Sequence, residues 1–146
     1  MKRPAFAVTY AVRDTCLCLH AQRAARVLAR RFDDALRPVG LTNGQFSLLT
    51  SLNRPVPAGM AAVAALLGMD RTTLTAALKP LARRGLVTVA ADPDDRRSRL
   101  MTLTPKGRSV LARAVGIWKR THASIERSLK DGEADRLRAS LRAVSV

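Results

Sequence analysis

Hydrophobic residues recur at helical spacing over most of this chain and at strand spacing in one short region. An α-helix advances about 100° per residue, so residues three and four apart share a face, whereas alternate residues share a face in a strand. The pattern predicts, in order, a helix within 12–36, a short helix opening at Thr42, a helix over 60–67, a helix between Asp70 and Gly85, strands at 86–89 and 100–103, a long helix from Pro105 and a last helix after Gly132.

The helix between Asp70 and Gly85 has two different faces. Asp70 is a favoured N-cap residue, and Gly85 suits the positive-φ turn that ends a helix. Leu74, Leu78 and Leu81 fall together on one side, while the other side is small and hydroxylic, with cations towards its C-terminal end. Small side chains allow close approach to base edges, and Lys or Arg reaches phosphates. Taken alone, this pattern also fits an ordinary surface helix.

The two predicted strands are joined by a long polar loop that carries arginines at its tip. Residues 90–99 are too many for a two-residue hairpin turn. Arginine is the side chain most often inserted into a narrow minor groove, and Arg96 and Arg97 are the candidates for that contact here. A neighbouring carboxylate such as Asp95 can hold a guanidinium by a bidentate pair. Such a loop is more often a solvated turn, but directly after this helix a DNA contact is the favoured interpretation.

Five short motifs stand in order along the chain: LLGMDRTTLT (66–75), LKPL (78–81), GLV (85–87), DPDDRR (92–97) and LTPKG (103–107). In this order they resemble the winged helix of the MarR family of bacterial transcriptional regulators, and the likeness runs from about Asp14 to the C-terminus. The resemblance implies a homodimeric repressor that binds a palindromic operator in double-stranded DNA and often responds to a small-molecule effector or an oxidant.

The helix pattern and the resemblance together assign ten residues to DNA binding. Arg71, Thr72, Thr73, Thr75 and Ala76 are expected to face the major groove, Lys79 and Arg83 to lie near phosphates, and Arg96 and Arg97, with Asp95 orienting Arg97, to reach the minor groove. The chain departs from the family at one point. Many relatives carry Arg and then a polar residue where this chain has Ala76 and Ala77, so the family's base contact there does not carry over.

The net charge of +15 points to a polyanionic partner, either nucleic acid or an anionic membrane surface. Only five of the 26 cations are lysine, so arginine provides 21, and arginine favours bidentate recognition of phosphates and bases. One Trp, one Tyr and three Phe offer few stacking platforms for a single strand, which favours duplex DNA. A non-specific architectural DNA-binding protein is the alternative, and a GC-rich genome also raises arginine usage.

The predicted fold is mainly α with a small β-hairpin wing. A winged helix-turn-helix core at 42–104 is flanked by an N-terminal dimerisation helix at 1–41 and C-terminal dimerisation helices at 105–146. In the long helix, Leu111, Trp118 and Ile125 form an apolar stripe with no evident partner inside a winged helix. We therefore predict a homodimer held by both ends of the chain, with an intramolecular bundle as the alternative.

Two cysteines near the N-terminus suggest a metal or redox site. On one continuous helix Cys16 and His20 share a face, whereas Cys18 points about 200° away. The three side chains then do not converge on one ion, and the two thiols do not bridge without unwinding. Buried structural cysteine is the default. A thiol-based redox sensor is the alternative, because Cys18 has the spacing of the peroxide-sensing cysteine of one MarR branch, although that branch's supporting tyrosines are replaced by Gln22 and Phe32.

The sequence does not predict an enzyme, a metal site or a cofactor. His20 and His122 lie far apart, and the sequence contains no P-loop, nucleophile elbow or HExxH motif. No apolar run approaches the ~20 residues of a membrane-spanning helix. The N-terminus lacks a convincing signal-peptide cleavage site. We expect a cytoplasmic protein without a membrane partner.

Overall fold

The computed structural model describes residues 3–145. In chain order the elements are α1 (Phe6–Thr15), α2 (Leu17–Leu36), a 3-10 turn (Arg37–Val39), α3 (Asn43–Ser51), β1 (Ala58–Gly59), α4 (Met60–Leu67), α5 (Arg71–Arg83), β2 (Val87–Ala91), β3 (Arg99–Leu103), α6 (Pro105–Glu126) and α7 (Glu133–Ala143). The chain is mainly helical with one small antiparallel sheet, which confirms the predicted fold class.

The core lies beneath α5 and is formed largely by leucines. Leu74, Leu78 and Leu81 are buried, as the helical spacing predicted, and they join buried side chains such as Leu49 of α3 and Met101 of β3. Burying one such side chain fully contributes about 1.5–3 kcal/mol. The leucine face therefore fixes how α5 is rotated and leaves its opposite face in solvent.

Three helices begin at the cap residues predicted from the sequence: α3 at Thr42, α5 at Asp70 and α6 at Thr104. Thr42 and Gln45 form a reciprocal capping box at α3, with the Gln45 N–H 3.2 Å from the Thr42 hydroxyl. Thr104 caps α6 through the Gly107 N–H, and Pro105 occupies the first turn, where its missing N–H costs nothing. These caps fix where α3 and α6 begin.

The sheet has the strand order β1-β3-β2, and both pairings are antiparallel. The hairpin strands are each one or two residues longer at the loop side than predicted, with Ala91 opposite Arg99. The sequence did not predict β1, because Ala58 and Gly59 alone give no alternating pattern. This two-residue strand pairs with Leu100 and Met101 and ties the chain before α4 to the hairpin.

The start of α6 is anchored at the turn that follows α5. The Thr104 hydroxyl donates to the Gly85 carbonyl at 2.7 Å, and the Thr104 N–H donates to the Leu86 carbonyl at 3.1 Å. A Cβ at Gly107 would lie 2.0 Å from the Leu86 carbonyl oxygen, so only glycine permits this approach. The long helix α6 is therefore joined closely to the turn between α5 and β2.

The stripe on α6 has a partner in its own chain, contrary to our prediction. Leu111 is buried in the core, and Trp118 stacks on Phe46 of α3 with 6.2 Å between ring centroids. Ile125 is partly buried against the same core. The sequence reasoning was wrong because α2 and α3 both pack on α6 within one chain.

Most of the large exposed apolar side chains in residues 3–145 lie instead on or next to α1, α2 and α7. Neither α1 nor α7 contains a buried residue. Large hydrophobic side chains stay exposed on α1, α2 and α7, among them Phe6, Tyr10, Leu17, Val27, Leu137 and Leu141. These helices expose apolar area that the single chain does not cover.

The first helical segment is broken at Cys16, so the predicted continuous helix within 12–36 is wrong. Cys16 has φ −71° and ψ 108°, an extended conformation between α1 and α2. Its N–H closes α1 on the Val12 carbonyl at 3.0 Å, and its sulfur accepts the Leu19 N–H at 3.5 Å as the N-cap of α2. Neither proline nor glycine marks this break, and for that reason the hydrophobic pattern did not predict it.

None of the described helices is by itself long and apolar enough to cross a membrane. Taken together, α4 and α5 have the length and composition for it, but they meet at a 100° bend.

Candidate nucleic-acid interface

Helices α4 and α5 form a helix-turn-helix. They are bent by 100° at Gly68, whose φ of 63° is positive, and a 90–120° angle is typical of this motif. Asp70 caps α5 by accepting the Thr73 N–H at 2.7 Å and the Thr73 hydroxyl at 2.9 Å. These hydrogen bonds from Thr73 hold the pKa of the Asp70 carboxyl below its usual value. The cap fixes where α5 begins and so which residues its first turn exposes.

The exposed face of α5 carries the residues that the sequence assigned to DNA. Arg71, Thr72, Thr75, Ala76 and Lys79 line one shallow depression on this face. The Thr75 hydroxyl donates to the Arg71 carbonyl at 2.8 Å, which leaves its oxygen lone pairs to accept. A row of small residues between two cations is a surface that a base-pair edge can approach closely.

Two of the assigned residues differ from the others in their surroundings. Thr73 is exposed, but its hydroxyl is bound to the Asp70 cap, so its proton is not free for a base. Arg83 is exposed in the last turn of α5, away from the shallow depression. Its place at the C-terminal end suits a phosphate contact better than a base contact.

The hairpin lies directly beside α5. Thr75 and Lys79 share a narrow cleft of about 270 Å³ with Val89 of β2 and Arg99 of β3. Alternate residues of a strand share a face, so Arg99 lies on the same side as the buried Met101. The helix surface and the wing therefore form one continuous surface.

Arg99 is a candidate contact that the sequence reasoning did not include. It was counted with the loop, whereas the structure places it in β3 at the edge of the cleft beside Lys79. The alternation of Arg99, Met101 and Leu103 could have predicted this position. Met101 and Leu103 are buried, and Arg99 lies on the same face of the strand.

Asp95 holds the backbone of the wing tip, not a guanidinium, so the predicted Asp95–Arg97 side-chain pair is wrong for the DNA-free protein. Its Oδ1 accepts the Arg97 N–H and its Oδ2 accepts the Ser98 hydroxyl, each at 3.0 Å. The Ser98 N–H donates to the Asp95 carbonyl at 2.8 Å and closes the turn. A short carboxylate that bonds the backbone two residues on competes with pairing to the arginine.

The arginines of the wing are exposed and form no ion pair with another residue in 3–145. Arg96 and Arg97 lie in solvent. Across residues 3–145, the ion pairs join other groups: Arg13 with Asp14, Arg37 with Asp34, Arg138 with Glu126 and Asp135, and His122 with Glu126. The cations of α5 and of the wing therefore remain available for phosphates.

Two further features lie outside this surface. An apolar crevice of about 430 Å³ between α3, the end of α4 and α6 is bordered by Phe46, Leu66, Val115 and Trp118. Cys16 and Cys18 lie at the junction of α1 and α2, Cys16 as the N-cap of α2 and Cys18 in its first turn. In the described part of the chain, no group of three or more His, Cys, Asp or Glu side chains is placed to hold a metal ion.

Comparisons with known proteins agree with this geometry. The sequence model of the MarR family matches residues 41–98. The DNA-bound structure of the Mycobacterium tuberculosis transcriptional regulator MosR is 40% identical, with a TM-score of 0.82, and the match covers 90% of this chain and 94% of that one. The transcriptional repressor CouR, bound to a 23-mer DNA duplex, is 28% identical over all of both chains, with a TM-score of 0.81.

Two further comparisons concern relatives with a named activity or ligand. BadR, a transcriptional activatory protein of Rhodopseudomonas palustris, is 38% identical over 91 residues, which are 60% of this chain but only 52% of BadR. This chain thus spans about half the length of that relative. CouR from Rhodococcus jostii RHA1, bound to p-coumaroyl-CoA, is 24% identical with a TM-score of 0.78, over 92% of this chain and 94% of that one.

Three observations lead to one assignment. They are the helix-turn-helix, the adjoining wing with arginines at its tip, and the 40% identity to a DNA-bound regulator that matches over nearly the whole of both chains. The chain belongs to the MarR family and is a transcriptional regulator that binds DNA.

Proposed function

We propose that this regulator is a homodimer that binds a short palindromic operator sequence-specifically, represses transcription there, and is released by a small molecule or an oxidant. The observation that carries the proposal is the continuous surface formed by the exposed face of α5 and the wing, with Thr75, Lys79 and Arg99 around one cleft. A protein of this kind acts where the chromosome is, in the cytoplasm.

The proposed DNA contacts follow from the shape of this surface. Helix α5 enters the major groove with Arg71, Thr72, Thr73, Thr75 and Ala76 towards the bases, and Lys79 and Arg83 lie near phosphates. Arg97, with Arg96 beside it, enters the neighbouring minor groove, where the negative potential is enhanced. Asp95 contributes by fixing the backbone that carries Arg97.

The uncovered apolar residues of the terminal helices support the dimer. Phe6 is 71% exposed and Leu17 is 76% exposed, and α7 buries nothing in the single chain. Large interfaces of about 2,000 Å² or more are usual for obligate homodimers, and two copies of α1, α2 and α7 offer such a surface. In this arrangement, residues 1–41 and 105–146 hold the dimer while 42–104 read DNA. Light scattering that showed a folded 15.8 kDa monomer at micromolar concentration would contradict this.

Repression is the proposed direction of control. The CouR repressor aligns over this entire chain, whereas the activatory protein BadR aligns over 60% of it. A dimer that covers both halves of an operator excludes other proteins from that stretch of DNA. A reporter gene placed behind the operator should therefore be more active when the regulator is absent.

The apolar crevice beside Trp118 supports a small-molecule signal. Phe46, Val115 and Trp118 border it; Phe46 belongs to α3 inside the DNA-binding core, and the other two belong to α6, which leads from that core to the C-terminal end. A dimer can adopt more than one spacing of its two recognition helices. A ligand that binds more tightly to the dimer with one spacing increases the fraction of dimers that have that spacing. The release of DNA then follows, because both helices must fit one face of the duplex.

The rival proposal is a non-specific architectural protein, for which the net charge of +15 would suffice. Selection from a random duplex library with the purified regulator separates the two. We expect an enriched palindrome whose half-site centres are about one helical turn apart, roughly 10 base pairs. A library that stays random after several rounds would favour the architectural protein and would refute sequence-specific control.

A further inference from the structure

The exposed face of α5 offers a narrow choice of chemical groups to a base pair. Residues 71–83 contain no Asp, Glu, Asn or Gln. Arg71 and Lys79 are exposed at the two ends of the face, and both can only donate hydrogen bonds. The exposed residues between them are three threonines and Ala76. Cationic donors, hydroxyls and methyl groups are therefore the groups that this face presents.

Two of the three threonine hydroxyls are already bound inside the helix. The Thr73 hydroxyl donates to the Asp70 carboxylate at 2.9 Å, and the Thr75 hydroxyl donates to the Arg71 carbonyl at 2.8 Å. Neither proton is free for a base. The Asp70 carboxylate is itself engaged in the cap, since it also accepts the Thr73 N–H at 2.7 Å. The strong hydrogen-bonding groups left on the face are the two cations.

The four bases differ in what they present in the major groove. Guanine presents two acceptors, N7 and O6, and thymine presents the O4 acceptor beside its C5 methyl group. Adenine and cytosine present an amino group, which is usually accepted by Asn or Gln and by a carboxylate, respectively. Because α5 lacks all of those side chains on this face, its surface is complementary to the edges of guanine and thymine.

We propose that α5 recognises guanine through Arg71 and the methyl group of thymine through Ala76. This inference rests on the proposed function, because it names the bases that the recognition helix contacts in the operator. Ala76 is exposed and lines the same shallow depression as Arg71. Its single methyl group allows the C5 methyl of thymine to reach van der Waals contact with the helix, whereas a longer side chain would hold the base away.

The helix geometry also gives the separation of the two contacts. Arg71 and Ala76 are five residues apart, which is about 7.5 Å along the axis at a rise of about 1.5 Å per residue. Successive base pairs are about 3.4 Å apart. A helix that lies along the major groove therefore places the two contacts about two base pairs apart. Each half-site should contain a G·C pair and an A·T pair with that separation.

The first test replaces each thymine of the selected palindrome, one symmetric pair of positions at a time, with deoxyuridine, which lacks only the C5 methyl. At one pair of positions, the affinity of the wild-type protein should fall about 4-fold for one half-site and about 15-fold for both, the effect of exposing one methyl group in each. Thymines outside the contact should show no loss.

Protein variants assign the methyl contact to Ala76. Each variant is titrated with the thymine duplex and the deoxyuridine duplex at low salt, where weakened binding is still measurable. The ratio of the two affinities cancels any general loss of stability or affinity. In Ala76→Gly the ratio should fall to about one. Lys79→Ala is the matched control, because it removes a presumed phosphate contact and should keep the wild-type ratio.

A second scan tests guanine in the same way. Replacing guanine with 7-deazaguanine removes the N7 acceptor and should lower wild-type affinity about 5-fold or more at one pair of positions. Arg71→Ala should be insensitive to that change. Loss of neither base group at any position, or losses that persist in Ala76→Gly or Arg71→Ala, would overturn the inference, as would a palindrome without the two pairs at this separation. Those results leave sequence-specific binding intact, whereas a library that stays random refutes the proposed function as well.

Discussion

Replacing Arg97 with alanine tests the wing most cleanly. The side chain is exposed, and across residues 3–145 the ion pairs join other groups. The bond that Asp95 accepts from position 97 comes from the backbone N–H at 3.0 Å, which alanine retains. Arg97→Ala should therefore remove one guanidinium from each wing and leave both the loop and the fold unchanged.

The expected loss is that of one specific contact. Such contacts contribute about 1–3 kcal/mol, which corresponds to roughly 5- to 150-fold in the dissociation constant. The salt dependence gives a second magnitude. The slope of log affinity against log salt changes by about 0.9 for each phosphate charge neutralised. Because a dimer has two wings, the slope should become shallower by up to about two units.

The assay is a titration of the selected palindrome at several salt concentrations. Arg127→Ala is the matched control, because it removes the same charge from an exposed position just after α6, outside α5 and the wing. The control should change affinity and slope far less than Arg97→Ala. If both variants behave alike, or if Arg97→Ala has the wild-type affinity and slope, the wing is a solvated turn and its minor-groove role must be abandoned.

Three further substitutions test separate parts of the account. Lys79→Ala should weaken binding to the palindrome and to random duplex by similar factors, because a phosphate contact carries no sequence information; a loss confined to the palindrome would refute this. Asp95→Ala should cost less affinity than Arg97→Ala in the same titration, since it loosens the turn but keeps both arginines; an equal or larger loss would mean that Asp95 does more than hold the backbone. Leu74→Ala should lower the free energy of unfolding by about 3–5 kcal/mol in a denaturant melt, because Leu74 is fully buried. The exposed Leu66→Ala should change it by about 0.5 kcal/mol or less, and equal effects would refute the assigned core.

The parts of the fold that the sequence predicted are those in which local chemistry and packing agree. Asp70, Thr42 and Thr104 each cap the helix predicted for them, because a short polar side chain just before a helix can accept a free backbone N–H of its first turn. Leu74 and Leu81 are buried as their spacing required. The exposed face of α5 follows directly, since a helix that buries one side presents the other.

The errors have a common physical origin in interactions that a linear pattern does not contain. Asp95 was assigned to a guanidinium, but the backbone N–H two residues on is nearer and costs less side-chain entropy to bind. The partner of Leu111 lies on helices distant in sequence. The break at Cys16 has no proline or glycine, because a cysteine sulfur supplies the cap. The position of Arg99 depends on the register of β3.

The central claim is that one dimer reads one palindrome with two copies of α5. The most direct measurement is the affinity and stoichiometry of the reduced protein on the selected palindrome and on a shuffled duplex of the same composition at physiological salt. We predict two chains per palindrome and an affinity at least about 10³ higher than for the shuffled duplex, the lower end of the usual range for specific regulators. Equal affinities for the two duplexes, or one chain per palindrome, would contradict the account.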